Sequence, residues 1–244
     1  MRTKLKELQM LNSNLVYLYL LIAFVLSNVP LVNSFIKGNA RLSKVIHAIG
    51  MSVAIANTMI HETCHACMAI VTGGRIRGVS ISADSSGLAE TTSSSRIARI
   101  LVSYAGYTGS SLVAVGLFYL LHLGKYEWII YFFVLLSTIN WLFWVRNLFG
   151  FIWLTAFIGM MIFFLYKHFE VLLLHISILL TCMVLVQSIV SALVILKYSV
   201  TDRRNAGDAT NLAKSTFVPA IFWGALFFVQ SILATIYITV EYLL

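Results

Sequence analysis

Two histidines and a glutamate with the spacing of a metal site lie within one apolar stretch of this 244-residue chain. His61 and His65 are four residues apart, so on a helix both side chains project from the same face. With Glu62 between them they form an H-E-x-x-H pattern, in which the histidines bind zinc and the glutamate acts as a general base. The sequence therefore predicts a metal site with His61 and His65 as ligands and Glu62 as the base.

The helix that carries this pattern is predicted to lie within a membrane. The chain is 60% hydrophobic and 11% charged, and its mean hydropathy is +0.91. A soluble domain of this length cannot bury so much apolar surface. The net charge of +8 is spread over short groups between apolar runs, which is typical of loops beside membrane helices and argues against a nucleic-acid partner. The lipid bilayer is the expected surrounding.

Seven apolar runs are long enough to cross about 30 Å of hydrocarbon as helices. The predicted spans are residues 15–35, 45–72, 97–121, 128–145, 149–166, 171–196 and 217–243. Pro30 is expected to kink the first of them. No internal repeat or linker divides the chain, so we expect residues 1–244 to form a single integral-membrane domain of the all-α class.

The orientation of the spans follows from the distribution of basic residues. With seven spans, twelve Lys and Arg residues fall on the side of the N-terminus and five on the other side. Since basic residues are enriched in cytoplasmic loops, the N-terminus is predicted to be cytoplasmic. We expect a multi-pass protein of a cell membrane, and the compact chain favours a bacterial one.

A polar segment with alternating apolar residues follows the second predicted span. Residues 73–95 are expected to form a membrane-associated β-hairpin, bulged near Gly78. A substrate helix must unwind before cleavage, and its freed backbone groups need partners inside a membrane. The edge of the hairpin is expected to supply them by strand addition, with backbone donors at Val79 and Ile81.

A catalytic zinc takes three protein ligands and leaves one position open for water. The other histidines and most acids map to the far ends of the spans or to the N-terminal tail, which leaves Asp84, Glu90, Asp202 and Asp208. Asp84 is a turn residue, Glu90 could reach back from the hairpin, and Asp202 is expected to pair with the arginines that follow it. Asp208 lies in the predicted cytoplasmic loop 198–216, where a short helix is expected to begin. It is either a ligand or a cap of that helix.

Several segments in a fixed order are similar to the site-2 protease family of intramembrane zinc metalloproteases, most closely to its compact B-like branch. The segments, between His61 and Gly224, are HETCHA, GGRIRGVSIS with SGLAETT, AGYTGSS, RNLFG and GDATNLAKSTFVPAIFWG. The resemblance implies that His61, His65 and Asp208 bind Zn²⁺ and that Glu62 activates water. The wider family usually carries Asp-Gly at the third ligand, where this chain has Asp208-Ala209.

The implied activity is hydrolysis of peptide bonds in single-pass membrane proteins or membrane-embedded peptides. The main alternative is a non-proteolytic zinc-binding membrane scaffold, a pseudoprotease, against which the intact Glu62 argues. A lipid-modifying di-metal enzyme would need more histidine clusters, and a transporter would carry polar groups in several spans.

Overall fold

The protein is built mainly from helices, as the computed structural model shows for residues 13–28, 40–82 and 86–244. The α-helices in these residues are α1 (Ser13–Ser27), α2 (Ala40–Val71), α3 (Arg96–His122), α4 (Tyr126–Ile139), α5 (Leu148–Tyr166), α6 (Glu170–Thr201), α7 (Gly207–Thr216) and α8 (Ala220–Ile238). Two of them, α4 and α8, continue as π-helical turns at Asn140–Trp144 and Thr239–Leu243. Two strands, β1 (Arg75–Ile81) and β2 (Gly87–Thr92), form the only sheet in the described residues.

Among the described residues, five helical segments are long and apolar enough to cross a membrane. They are Arg96–His122, Tyr126–Trp144, Leu148–Tyr166, Glu170–Thr201 and Ala220–Leu243. The helix in the first predicted span, α1, has only 15 residues, and Pro30 lies outside the described residues. The helix in the second, α2, has 32 residues and is not among these five. The predicted count of seven spans is therefore not confirmed.

The helices pack around α2 and α6. Helix α2 packs along α3 and against both strands, and α6 contacts α1, α2, α3 and α8. The buried faces of these helices carry the apolar core, whereas many large apolar side chains on the outside of the bundle are exposed. This distribution suits a protein whose outer surface faces lipid.

The turn after α2 brings the hairpin back against the bundle. Gly73, two residues after the end of α2, has a φ of +74°, a conformation that glycine adopts without steric cost. The antiparallel strands follow, with Ile76 opposite Thr91 and Gly78 opposite Glu90. One residue of β1 between these pairs has no partner, so the predicted hairpin and its bulge near Gly78 are both present.

One edge of the hairpin is occupied by the segment after α4. The Arg146 N–H donates to the Val79 carbonyl (3.1 Å). The Asn147 side chain accepts from the Ile81 N–H (3.0 Å) and donates to the Ile81 carbonyl (2.6 Å). The prediction that Val79 and Ile81 offer a free edge is therefore wrong, because segment 145–147 already pairs with β1.

Most of the predicted loop 198–216 is helical. Helix α6 extends to Thr201 and α7 covers Gly207–Thr216, so only residues 202–206 connect them. The prediction of a short helix beginning near Asp208 is confirmed, but Asp208 lies in its first turn and does not cap it. The side chain of Asp208 is therefore free for another role.

Candidate metal centre

One face of α2 lines a partly open cavity of about 700 Å³. Asn57, His61, Glu62 and His65 all reach this cavity, as the helical periodicity of the sequence predicts. The other walls are formed by α3, α6, the first turn of α7 and strand β2. The cavity therefore joins the H-E-x-x-H residues to the hairpin and to the helix that carries Asp208.

Three candidate ligand atoms converge at one end of the cavity. His65 Nε2 lies 3.0 Å from His61 Nε2 and 3.1 Å from Asp208 Oδ2, and His61 Nε2 lies 3.4 Å from the same oxygen. Four ligands placed tetrahedrally about 2.0–2.1 Å from zinc are separated from one another by about 3.4 Å. The two imidazole nitrogens and the carboxylate oxygen thus have the spacing and the chemistry of a zinc site.

The orientation of His65 is fixed from the side opposite to these atoms. Its Nδ1 lies 2.6 Å from the backbone carbonyl oxygen of Val102 on α3. A carbonyl oxygen only accepts, so Nδ1 carries a hydrogen and Nε2 is the nitrogen left to bind a metal. This outer contact is typical of histidines that bind metals, because it sets both the tautomer and the ring orientation.

Helix α3 approaches the two imidazoles closely at Gly106. A β-carbon at this position would meet His61 Cε1 at 2.5 Å and His61 Nε2 at 2.6 Å, and it would also collide with His65 Nε2. The next residue, Tyr107, packs edge-on against the His61 ring with 4.6 Å between ring centroids. Gly106 and Tyr107 thus form the wall that holds both histidines in place.

Asp208 reaches the site because α7 is docked against the bundle. Ala209 and Leu212 are fully buried on the inner side of α7, while Asp208 beside them faces the histidines. Desolvation by burial raises the pKa of the Asp208 carboxyl, but His65 and His61 outweigh it and hold that pKa well below its usual range. The carboxyl is therefore in the ionised form that a metal requires.

Glu62 lies in the same cavity as the three ligand atoms but makes no hydrogen bond or ion pair with any of them. Its side chain is 6% exposed and lines the cavity, and among the described residues it makes neither a hydrogen bond nor an ion pair. Gly87 of β2 packs against it, so that a β-carbon there would lie 2.7 Å from Glu62 Oε1. A free carboxylate in this position can take up a proton.

The other acidic candidates from the sequence do not join this group. Glu90 is exposed on β2, and Asp202 accepts a hydrogen bond from Asn205 Nδ2 (2.8 Å) instead of pairing with the neighbouring arginines. Asp84 lies outside the described residues. Among the described residues, Asp208 is the acid that the fold brings to the two histidines.

Sequence reasoning assigned no role to the α3 residues that touch the site. Val102 and Gly106 share a face of this helix, since they are four residues apart, and Tyr107 follows Gly106 directly. The segment AGYTGSS, which contributed to the resemblance, is the signal in the sequence that could have pointed to Gly106 and Tyr107. Their contacts depend on how α2 and α3 pack.

The fold and the site together define a helical membrane protein with a group of side chains that could bind a metal at a cavity between its helices. The sequence matches the Peptidase M50B-like family over residues 15–238. The chain therefore belongs to this family, and the resemblance to site-2 proteases is confirmed. Members of the family are membrane-bound zinc metalloproteases. A comparison with curated proteins finds no match, and neither does a comparison with solved structures.

Proposed function

We propose that the protein is an intramembrane zinc metalloendopeptidase with His61, His65 and Asp208 as the zinc ligands and Glu62 as the general base. One observation carries the proposal: three ligand atoms 3.0–3.4 Å apart share a cavity with a carboxylate that makes no hydrogen bond among the described residues. Family membership supports the same activity.

The residues divide the chemistry between them. When bound, zinc supplies a Lewis acid that acidifies water and polarises a carbonyl group. Glu62 takes a proton from the attacking water and delivers it to the amide nitrogen as the peptide bond breaks. His65 is kept in its zinc-binding tautomer by the Val102 carbonyl, and Asp208 balances one positive charge.

Strand β2 offers an unwound substrate a place to pair. The backbone groups of Val79 and Ile81 point towards segment 145–147 and away from β2. In an antiparallel sheet such residues form non-hydrogen-bonded pairs with the residues opposite them, which here are Ala89 and Gly87. The backbone N–H and C=O of Ala89 and Gly87 therefore point away from β1. Both residues line the cavity, so strand addition would place a substrate backbone beside Glu62.

The substrates that this arrangement suits are single-pass membrane proteins or peptides embedded in the bilayer. The site lies within a bundle of apolar helices and its cavity is large enough for an extended peptide segment. We further propose that the N-terminus and the α6–α7 connection face the cytoplasm, as the distribution of basic residues predicts.

The test compares zinc content and cleavage of a model single-pass substrate for purified wild type, Glu62→Gln, Asp208→Ala and the control Glu90→Gln. We expect Glu62→Gln to keep zinc at the wild-type ratio while cleavage collapses, since an amide cannot accept the proton. Asp208→Ala should lose zinc, and Glu90→Gln should resemble wild type in both measurements.

The outcomes separate the parts of the proposal. Normal cleavage by Glu62→Gln would exclude Glu62 as the base, and full zinc content in Asp208→Ala would exclude Asp208 as a ligand. A wild type that binds zinc but cleaves none of a panel of membrane substrates would instead identify a zinc-binding scaffold.

A further inference from the structure

Tyr107 presents a rigidly held side chain to the cavity. Its ring stacks on Phe227 with centroids 4.7 Å apart and an interplanar angle of 28°, and it packs edge-on against His61. The residue is only 9% exposed, yet it lines the cavity that holds His61, Glu62 and Asp208. The ring contacts thus fix the direction of the hydroxyl group.

The Tyr107 hydroxyl has no hydrogen-bond partner among the described residues. Two other polar side chains of the same cavity are engaged elsewhere: Gln187 donates to Ser27 Oγ (3.1 Å), and Ser191 donates to the Gln187 carbonyl (2.6 Å). Ser103 and Asn211 also line the cavity and are the alternative donors. The hydroxyl of a largely buried tyrosine usually finds a hydrogen-bond partner. The free donor of Tyr107 is therefore available to a substrate.

Peptide hydrolysis creates a need for such a donor. When the water oxygen bonds to the carbonyl carbon, the π-electron pair moves to the carbonyl oxygen and the water proton moves to Glu62. When the carbon–nitrogen bond breaks, that electron pair re-forms the carbonyl group and the nitrogen receives the proton from Glu62. The carbonyl oxygen is negatively charged between the two steps, and preorganised donors stabilise such an oxygen strongly.

We propose that Tyr107 is a further catalytic residue, whose hydroxyl donates a hydrogen bond to the scissile carbonyl oxygen as its negative charge develops. Tyr107 keeps its proton throughout the reaction. This inference rests on the proposed peptidase activity, but it concerns a separate residue and a separate interaction.

The test is Tyr107→Phe, which keeps the ring contacts with His61 and Phe227 and removes only the hydroxyl. Removal of one such donor lowers kcat by about 10²–10³-fold in other hydrolases. We expect a loss in that range, with unchanged KM and unchanged zinc content. The matched control is Tyr104→Phe in the same helix, because the Tyr104 hydroxyl accepts from Gln230 and does not line the cavity.

A second readout does not depend on turnover. A phosphinic peptide, whose tetrahedral phosphorus mimics the charged intermediate, should bind Tyr107→Phe more weakly by the same factor as kcat/KM falls. An uncleaved peptide of the same sequence should bind both forms equally.

Three results would overturn the inference. They are wild-type kcat and phosphinic peptide affinity in Tyr107→Phe, loss of zinc from Tyr107→Phe, and a 10²-fold loss in Ser103→Ala or Asn211→Ala while Tyr107→Phe stays active. If wild type itself cleaves nothing, the proposed function fails, and phosphinic peptide affinity still decides the role of the hydroxyl.

Discussion

Replacing Gly106 with alanine should abolish tight zinc binding without disturbing helix α3. The new β-carbon would lie 2.5–2.6 Å from two atoms of the His61 ring and would collide with His65 Nε2 as well. Ordinary contacts of a β-carbon begin at 3.4 Å, so the His61 nitrogen would have to retreat by about 0.8 Å, the difference between 3.4 and 2.6 Å. The histidines cannot both retreat and still face one ion.

The size of the effect follows from the tolerance of zinc geometry. Distances from ligand atom to metal vary by only about 0.2 Å among sound sites, and the required shift is several times larger. Loss of a supporting outer contact alone weakens metal binding by about 10–100-fold. Because Gly106→Ala displaces ligand atoms directly, we expect its zinc affinity to fall by about 100-fold or more.

The control is Gly116→Ala in the same helix. Gly116 is exposed and a β-carbon there would meet nothing within 4 Å, whereas both substitutions gain about 0.5–1 kcal/mol of helix stability. Zinc affinity is measured by competition with a chelator, and folding is followed by the helical circular dichroism of the detergent-solubilised protein. The reasoning is refuted if Gly106→Ala binds zinc as tightly as Gly116→Ala.

Two further predictions concern the hairpin and the orientation of the chain. Ala89→Pro removes a backbone donor that faces the cavity, so cleavage should fall while zinc stays bound. The control Ala89→Ser keeps the donor and should cleave normally. Equal cleavage by both variants would exclude strand addition at this edge. Cysteines introduced at Ser94 and Asn205 should resist an impermeant thiol reagent added to intact cells, and labelling of either from outside would reverse the proposed orientation.

The face of α2 that bears the site could be predicted because it depends on helical periodicity alone. Residues four apart share a face in any α-helix, so the positions of His61 and His65 followed from their spacing once the segment was identified as a helix. The hairpin was predictable for a similar reason, since alternation of side chains over a few residues is a local property. Both local features are present in the folded protein.

The free edge of the hairpin could not be predicted, because it depends on which distant segment pairs with it. Val79 and Ile81 have the alternation of an edge strand, and nothing near them in the sequence indicates that Asn147 occupies that edge. The membrane spans show a related limit. Hydropathy locates apolar runs, whereas the chemistry that makes α2 functional also makes it less apolar than the other long helices.

The proposed third ligand, Asp208, could not be identified from the local sequence alone. An aspartate at the start of a short helix has a local explanation, since it caps the helix or favours its positive end. Asp208 lies in the first turn of α7, so sequence alone fits both this explanation and a ligand. What separates them is the docking of α7: the buried Ala209 and Leu212 fix the rotation of the helix, and that rotation carries the Asp208 oxygen to 3.1 Å from His65. The shared face of His61 and His65 therefore follows from the sequence of α2 alone. The position of Asp208 depends instead on how Ala209 and Leu212 pack against the bundle.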